Sequence, residues 1–416
     1  MEPIEQLEII EPKPKKSFKN FWKGALCGAL SMLLICVLVG ILLFFTLLHK
    51  GFGANGNEGG IVSIETQNKL QMIRQLIEQN YLYSDDIDEN ALQDSILKGY
   101  VNGLNEPYSV YYNEAETTSL FESTTGTFGG IGVVIMQDRT SGLITFTNIY
   151  DDAPGQKAGF KAGDIVYKVN GEDITGMDLD SVVSKIRGAV GTKVEITVIR
   201  GDKKEEYTGT ATRALIENNT VAYEMKEGKL GYIQISGFED VTFDQFKNAL
   251  TELKKQKMKG LVIDLRSNPG GNLQTVCQMA DLILPKGNIV SIKDKNGNGN
   301  IYTSDADTML DVPLVVLING YSASASEIFA GAVQDYKLGT LVGTTTYGKG
   351  IVQNIYGLGD GTALKITSSE YFTAKGRNIH GIGIKPDVEL EYQYDESNPN
   401  ADNQLEKAIE ILKKGM

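Results

Sequence analysis

The sequence predicts a mixed α/β and β protein with a single transmembrane helix ahead of its folded domains. Three observations carry this prediction: an uncharged apolar run over residues 24–48, short strands and turns over residues 123–213, and strands alternating with helices from Lys229 onward. Alternating strands and helices are typical of an α/β layer with buried strands, whereas closely spaced short strands indicate a small β domain. A chain of 416 residues has room for such an arrangement.

The apolar run over residues 24–48 is long enough to cross the roughly 30 Å hydrocarbon core of a bilayer. Five lysines and no acidic residue lie among residues 13–23, just before the run. Because positively charged flanks stay inside the cell, we predict a single-pass anchor in the cell membrane with a cytoplasmic amino terminus and an extracytoplasmic remainder. A cleaved signal peptide is the alternative, but its apolar region would be shorter and a small-x-small cleavage site should follow.

Composition excludes several kinds of chemistry. The two histidines, His49 and His380, cannot build a multi-histidine metal site, and Cys27, Cys36 and Cys277 show no C-x-x-C spacing. The formal net charge of −13 argues against a broad nucleic-acid surface. We therefore expect no metal and no nucleic-acid partner.

The elements after the apolar run follow in order from their periodicity. A glycine-rich tether precedes two amphipathic helices over residues 64–80 and 89–103; a helix over 178–187 interrupts the β region, helices over 242–257, 273–284 and 326–336 alternate with buried strands, and 404–414 forms a last amphipathic helix. The predicted boundaries are 1–23 for a cytoplasmic tail, 24–48 for the transmembrane helix, 49–62 for a flexible linker, 63–115 for a helical region, 116–213 for the β domain, 214–400 for the α/β core and 401–416 for the carboxyl-terminal helix.

Two segments nearly match ligand-binding motifs. GTTTYGKG (343–350) resembles a phosphate-binding loop, but Gly350 replaces the required hydroxyl residue and a strand pattern follows instead of a helix. DKNGNGNIYTSD (294–305) resembles a calcium loop, but its flanks look like strands and Asn-Gly pairs are the ordinary hairpin signal. We therefore favour a non-nucleotide role for the first segment and a hairpin for the second.

The turn in TFGGIGVVI (127–135) leads into a strand. Backbone N–H groups in such a turn can bind a terminal carboxylate while the peptide adds as an extra strand, although an ordinary hairpin is the simpler interpretation of this segment alone.

The strongest chemical signal is NGYSASASEIFAGAVQDY (319–336), where a buried strand passes through small residues into a helix. A serine just before such a helix is exposed, and neighbouring N–H groups point toward a developing oxyanion. Two bases could activate a serine here. Ser322 with His380 approaches the G-x-S-x-G pattern, whereas Lys349, lying between two glycines, could act as a neutral amine if buried, with Gln353 orienting it without adding charge.

From about Ser84 to Glu391 the chain resembles the carboxyl-terminal processing proteases, which are serine peptidases of family S41 with a PDZ domain. The residues that carry this resemblance are APGQKAGFKAGDIVYKVNGEDITGM in the β domain and GYIQISGF, QKMKGLVIDLRSNPGGNL, SASASEIFAGAVQDY, TTYGKGIVQ and HGIGIKPD in the α/β part. The resemblance implies a PDZ-like β domain and an α/β core of the crotonase and ClpP-like type.

The resemblance also implies particular residue roles. Ser324 would be the nucleophile and Lys349 its base, with Gln353 orienting the lysine; Gly270, Gly271 and Ala325 would line the oxyanion hole; and Gly130, Ile131 and Gly132 would bind the peptide carboxylate. The helices at each end, 64–103 and 402–414, would join subunits into a homodimer.

We therefore predict a membrane-anchored serine endopeptidase that recognises the C-termini of exported proteins and cleaves peptide bonds with a Ser-Lys dyad. This mechanism requires no cofactor. Two alternatives stay open: a membrane-tethered PDZ scaffold with a vestigial α/β part, and a hydrolase that uses Ser322 and His380.

Overall fold

The computed structural model describes residues 63–201, 203–305 and 307–415. The chain divides into two compact units, with the division between Asp88 and Glu89. Across the residues described, we find no helix whose length and apolar character would let it cross a bilayer. The predicted transmembrane run, residues 24–48, lies outside the described residues together with the predicted tail and linker, so these remain predictions.

The described part of the first unit contains one α-helix. Helix α1 spans Ile64–Asn80, which confirms the predicted range, and a 3₁₀ turn follows at Ser84–Asp86. The Ser63 hydroxyl caps α1 by accepting the N–H of Thr66 at 3.1 Å. No residue of α1 is buried, so its apolar side chains face solvent.

The second unit opens with helix α2, Glu89–Asn102, close to the predicted span. Its apolar face is open to solvent: Leu92, Ile96, Leu97 and Tyr100 are 37–54% exposed. Only Val101 of this helix is buried. No described element of this unit therefore covers the apolar face of α2.

Strand β1 (Val110–Tyr112) is followed by helix α3 (Glu114–Thr125), which the sequence analysis missed. Threonine and serine fill much of α3, and such residues weaken the helical signal. The available signal was the N-x-x-E spacing of Asn113 and Glu116, which form a capping box. Gly126 ends the helix in the left-handed conformation at φ 76°.

The β domain is a twisted antiparallel sheet closed by short helices. Its elements are β2 Thr127–Gly130, β3 Val133–Gln137, β4 Ile144–Ile149, α4 Pro154–Lys157, β5 Ile165–Val169, β6 Glu172–Asp173, α5 Leu179–Ile186, β7 Lys193–Arg200, β8 Glu205–Thr212 and β9 Ala214–Glu217. The main sheet has the order β3-β4-β5-β7-β8, so β3 is an edge strand. Phe146, Val182 and Ile196 are fully buried in its core. Helix α5 confirms the predicted helix to within one residue at each end.

Strands β2 and β9 pair antiparallel and bring the start and end of the β domain together. The N–H of Asn218, after β9, donates to the carbonyl of Gly126, before β2, at 2.8 Å. The chain therefore enters and leaves the β domain at the same place, through the paired strands β2 and β9.

The α/β core follows β9. Its elements are β10 Val221–Lys226, β11 Leu230–Ile235, α6 Thr242–Lys255, β12 Gly260–Asp264, α7 Leu273–Asp281, β13 Gly287–Asp294, β14 Ile301–Ser304, β15 Leu314–Ile318, α8 Ala325–Tyr336, β16 Gly339–Gly343, β17 Ile351–Gly357, β18 Ala363–Thr373, β19 Val388–Glu389 and α9 Asn403–Gly415. The central sheet has the order β10-β11-β12-β15-β16-β19 and is parallel apart from β10. The predicted α/β layer with buried strands is confirmed.

Helices cover both faces of the central sheet. Ile263 of β12 packs with Phe246 of α6 and Phe329 of α8 on one face, whereas Val262 packs with Ala408 and Leu412 of α9 on the other. Because successive side chains of a strand point to opposite faces, β12 has to be apolar throughout, as its sequence GLVID is.

Helix α9 docks on the sheet of its own chain. Its Ala408 and Leu412 are buried there. At its start, the Arg266 guanidinium contacts both Asp264 and Asp402, at 2.6 and 2.7 Å. One face of this helix is therefore used within the chain, and its part in joining subunits stays a prediction.

A second sheet carries strand β18 between β17 on one side and β1 and β13 on the other, with β14 beyond β13. Asp294 accepts the N–H groups of Asn296 and Asn298 in the tight β13–β14 connection. The hairpin interpretation of residues 294–305 is thereby confirmed. Within the described ranges no group of three or more His, Cys, Asp or Glu side chains could hold a metal ion.

Candidate active site

Ser324 lies where the buried strand β15 passes through a turn into helix α8. Its backbone has φ 54° and ψ −112°, a conformation that residues other than glycine rarely adopt. Such strain typically costs about 1–3 kcal/mol and persists only where the surroundings enforce it. Here the Tyr371 hydroxyl donates to the Ser324 carbonyl at 3.1 Å, and the amides that begin α8 bond to the same carbonyl.

The three serines at alternate positions in this turn differ in access. Ser322 is fully buried, and its hydroxyl donates to the Leu265 carbonyl at 2.7 Å. Ser326 is also fully buried and donates to the Asn268 carbonyl at 2.9 Å. Ser324 is half-buried. Of the three hydroxyls, that of Ser324 is the one with access to a substrate carbonyl.

The alternative pair of Ser322 and His380 is not assembled as a working site. The Ser322 hydroxyl is buried and donates to a backbone carbonyl, so it cannot reach a substrate. His380 is exposed, and its backbone N–H donates to the Asn378 side chain at 2.8 Å. His380 is thus a residue of an exposed loop.

Glu327, in the first turn of α8, is completely buried and joins the serine turn to the lysine loop. Its carboxylate accepts the N–H of Ser324 at 2.8 Å, the hydroxyl of Thr346 at 2.6 Å, and the N–H groups of Gly348 and Lys349 at 2.7 and 2.8 Å. The positive end of the α8 dipole also favours a carboxylate at this position. The sequence analysis assigned Glu327 no role, although the S-x-x-E spacing of Ser324 and Glu327 was a signal.

We expect Glu327→Gln to lower kcat about 100-fold with little change in KM. The amide oxygen can still accept from one pair of donors, but the amide nitrogen faces the other pair, and losing buried acceptors costs roughly 2–4 kcal/mol. If the loss acts on the transition state, that free energy corresponds to a rate change of about this size. Steady-state kinetics on an unstructured protein substrate measure it.

The exposed Glu370 on β18 offers a matched control. Glu370→Gln makes the same chemical change on the surface and should leave kcat unaltered. A Glu327→Gln enzyme with kcat within threefold of the unaltered chain would contradict this role of Glu327.

Lys349 has a half-buried side chain in the loop after β16. Burial lowers the pKa of its ammonium below the ordinary value, and the neighbouring Lys365 lowers it further, whereas Glu106 and Glu327 act in the opposite direction. Its Nζ lies 4.3 Å from the centroid of the Tyr108 ring. Among the described residues, no carboxylate forms an ion pair with Lys349 and no hydrogen bond joins its Nζ to Ser324.

Gln353 lies on β17, at a bulge in the pairing with β18. Its side-chain amide donates to the Thr367 hydroxyl at 3.2 Å, and that hydroxyl donates to Glu106 at 2.9 Å. No hydrogen bond between Gln353 and Lys349 is present in the described part of the chain. The orienting role of Gln353 therefore stays a prediction.

Two of the three residues predicted for the oxyanion hole, Gly270 and Ala325, lie beside Ser324, and Gly271 follows Gly270 in the chain. A Cβ built on Gly270 would lie 2.8 Å from the Ser324 Cβ and 2.9 Å from the Ala325 nitrogen, so only glycine fits there. The N–H of Gly270 donates to the Asn268 side chain at 2.9 Å and is therefore occupied. In the chain segments that the structure describes, the N–H groups of Gly271 and Ala325 have no partner. Gly270 thus leaves space beside Ser324, whereas Gly271 and Ala325 have N–H groups that are free to donate, and their role in an oxyanion hole stays a prediction.

Asn268 is a buried residue that the sequence analysis did not single out. Its side chain bonds the Gly270 N–H and the Ile235 carbonyl, while its own carbonyl accepts from the Ala323 N–H at 3.0 Å and from Ser326. These bonds fix the glycine pair relative to the serine turn. The only available signal was its place in the N-P-G-G segment.

A groove of about 410 Å³ runs along the β domain between edge strand β3 and helix α5. Gly130, Ile131 and Gly132 line it, and Val183 of α5 forms part of its wall. Within the described ranges the N–H groups of Ile131 and Gly132 have no hydrogen-bond partner. An edge strand next to free amides is suited to pairing with an extended peptide that ends in a carboxylate.

Two family comparisons match the two folded parts separately. Residues 145–200 match the PDZ domain, and residues 229–390 match peptidase family S41. A PDZ domain joined to an S41 catalytic domain defines a serine peptidase.

Curated relatives extend the match over most of the chain. The chain is 37% identical over 311 residues to a carboxy-terminal-processing protease of Bartonella bacilliformis, covering 73% of this chain and 70% of that protein. It is 35% identical over 325 residues to the carboxy-terminal processing protease CtpA of Bacillus subtilis, covering 78% and 69%. A solved photosystem II D1 C-terminal processing protease is 29% identical, covering 84% of this chain and 98% of that chain, with a TM-score of 0.47. The chain belongs to peptidase family S41, among the carboxy-terminal processing proteases.

Proposed function

We propose that this peptidase is anchored in the cell membrane, recognises the C-termini of exported proteins through its PDZ domain, and cleaves peptide bonds with Ser324 and Lys349. One observation carries the assignment of the dyad. The buried Glu327 bonds the backbone of both the serine turn and the lysine loop, while burial without an ion pair lowers the pKa of Lys349. That arrangement suits a neutral amine as general base.

In the proposed reaction, the Ser324 Oγ attacks the scissile carbonyl carbon while the Lys349 amine takes the hydroxyl proton. The N–H groups of Gly271 and Ala325 stabilise the oxyanion of the tetrahedral intermediate. Lys349 then gives its proton to the leaving amine, which leaves an acyl-enzyme on Ser324. Water, deprotonated by the same amine, attacks the ester carbonyl. The bond from that carbon to the Ser324 Oγ then breaks, the Oγ takes the proton back from the Lys349 ammonium, and the new carboxyl terminus is released.

Substrate selection is proposed to occur in the PDZ groove. The substrate would add as a strand beside β3, and its terminal carboxylate would accept the N–H groups at Ile131 and Gly132. The guanidinium of Arg187 lies 4.0 Å from the centroid of the Phe128 ring at the groove and pairs with the Glu122 carboxylate at 3.4 Å. A segment farther from the terminus would then reach the dyad.

We expect amidation of the substrate's C-terminus to lower kcat/KM by roughly 10-fold to 100-fold. Replacing a carboxylate by a neutral amide removes charge-assisted hydrogen bonds worth about 1.5–3 kcal/mol. The measurement compares one unstructured peptide with a free or an amidated terminus, using the full-length chain in detergent.

A groove variant provides the internal control for this comparison. Val183→Asp puts a charge into the groove wall and should abolish the discrimination between the two peptides. Ser184→Asp puts the same charge at the neighbouring exposed position of α5 and should keep it. Equal cleavage of both peptides by the unaltered chain would rule out C-terminal recognition in this groove.

The scaffold alternative makes a different prediction for the same assay. A chain with a vestigial α/β part would bind the free-terminus peptide in its PDZ groove without cutting it. The Ser322 and His380 alternative has little support, because Ser322 is buried and bonded.

Membrane anchoring is proposed from residues 24–48 and their lysine-rich flank. Extraction of cell membranes with alkaline carbonate tests it, and release of the intact chain into the soluble fraction would contradict it.

Homodimer formation is proposed from the exposed apolar face of α2, with Leu92, Ile96 and Tyr100 at its centre. Light scattering of the detergent-solubilised chain tests it, and a monomer at micromolar concentration would contradict it.

A further inference from the structure

The segment of residues 106–109, just before β1, contacts the lysine loop although it precedes the PDZ domain in the chain. The Tyr108 hydroxyl donates to the hydroxyl of Tyr347 at 3.4 Å, two residues before Lys349. The face of the Tyr108 ring lies over the Lys349 Nζ, with 4.3 Å between that nitrogen and the ring centroid. The predicted helical region thus contributes a side chain to the surroundings of the base.

Glu106 holds this segment in place through three hydrogen bonds. Its carboxylate accepts the N–H of Tyr108 at 2.9 Å, the Ser109 hydroxyl at 2.6 Å and the Thr367 hydroxyl at 2.9 Å. Ser109 in turn accepts the Thr367 N–H at 3.1 Å. Because Thr367 is on β18 and also contacts Gln353, the segment is bonded to the same strand pair that follows the lysine loop.

We propose that Tyr108 is a positioning residue that holds the Lys349 amine and favours the ammonium formed during acylation. This inference rests on the proposed function, in which Lys349 takes the Ser324 proton. The negative face of an aromatic ring attracts an ammonium more than a neutral amine. A ring stabilises the new charge less than a carboxylate would, so the resting lysine can still lose its proton.

Other charged and titratable groups around Lys349 also shift its pKa. Glu106 and Glu327 favour the ammonium, whereas Lys365 on β18 and burial disfavour it. The hydrogen bond to Tyr347, together with burial, raises the pKa of Tyr108 to about 12. The phenol therefore stays neutral through an ordinary assay range, and the ring presents the same face throughout.

The test compares Tyr108→Leu with Tyr108→Phe in the full-length chain. Loss of the ring should lower kcat about tenfold, since losing the attraction between the ring and a desolvated ammonium raises the activation barrier by an amount that corresponds to about this rate change. It should also lower the pKa of Lys349, so the acid limb of kcat/KM moves to lower pH. Tyr108→Phe keeps the ring and should stay within about threefold of the unaltered chain, with the limb unmoved.

A third variant separates the ring's electrostatics from its shape. Tyr108 replaced by trifluorophenylalanine keeps the size of the Phe variant but weakens the negative ring face. Its acid limb should move in the same direction as that of Tyr108→Leu. This comparison holds even where the leucine variant is poorly folded.

Two controls make the outcomes distinct. Tyr394→Leu removes an exposed tyrosine far from these contacts in sequence and should leave kcat and the limb unchanged. An acid limb at the same pH in the Phe and trifluorinated variants would overturn the role of Tyr108. A fully active Lys349→Met enzyme would instead overturn the proposed function.

Discussion

Ser324→Ala is expected to abolish peptide-bond cleavage, with a fall in kcat of about 10⁴-fold or more. The change removes the attacking oxygen, while alanine meets the same backbone strain at φ 54° and leaves the bonds of Glu327 to the turn in place. Binding of a free-terminus peptide in the PDZ groove should persist. Cleavage is followed by mass spectrometry and binding by fluorescence anisotropy, both with the full-length chain.

Ser141→Ala, in the exposed β3–β4 turn, provides a matched serine-to-alanine control and should keep full activity. A Ser324→Ala chain that cleaves at the original rate would show that another residue is the nucleophile. Unchanged binding with no cleavage is the expected combination.

Lys349→Met is expected to lower kcat/KM about 10³-fold, since a positioned general base typically contributes 10²–10⁴-fold. The base must be neutral, so activity should rise as the pH increases through the pKa of Lys349. Because burial lowers that pKa, the acid limb should lie below the ordinary lysine value of 10.5. In Lys349→Met this limb should vanish. The measurement is a pH profile of kcat/KM for both chains.

His380→Ala tests the competing base in the same experiment. His380 is exposed, so its removal should leave the plateau and the acid limb of the profile unchanged. A limb that survives in Lys349→Met and disappears in His380→Ala would reverse the assignment.

Local patterns predicted most of the elements. Helices α1, α5, α8 and α9 begin and end within a residue or two of their predicted bounds. Their apolar residues recur at helical spacing, which makes the extent of each helix readable from the sequence. Helix α3 was missed because its capping box is a weaker signal than its Ser- and Thr-rich composition. The exposure of the α2 face could not be predicted, since periodicity shows that a face exists but not what covers it.

The candidate site was predicted less completely than the fold. The segments with Ser324, Lys349 and Gly270 were identified through their motifs, yet the sequence did not distinguish among Ser322, Ser324 and Ser326 without the family resemblance. Burial makes that distinction, because two of the three hydroxyls are bonded to backbone carbonyls inside the core. Similarly, only the bond to Asn268 shows that the N–H of Gly270 is occupied.

The sequence by itself determined the class of fold and the order of the elements. Its two histidines also leave few imidazoles that could serve as a base, which favours a lysine in that role. These properties depend on residue types and on spacings within a few turns of chain. The tertiary structure decided which groups surround that lysine: Glu327 through its bonds to two loops, Tyr108 through its ring, and Lys365 through its charge. Tyr108 and Lys349 are separated by 241 positions, and only the folding of both segments against β18 brings the ring to the amine.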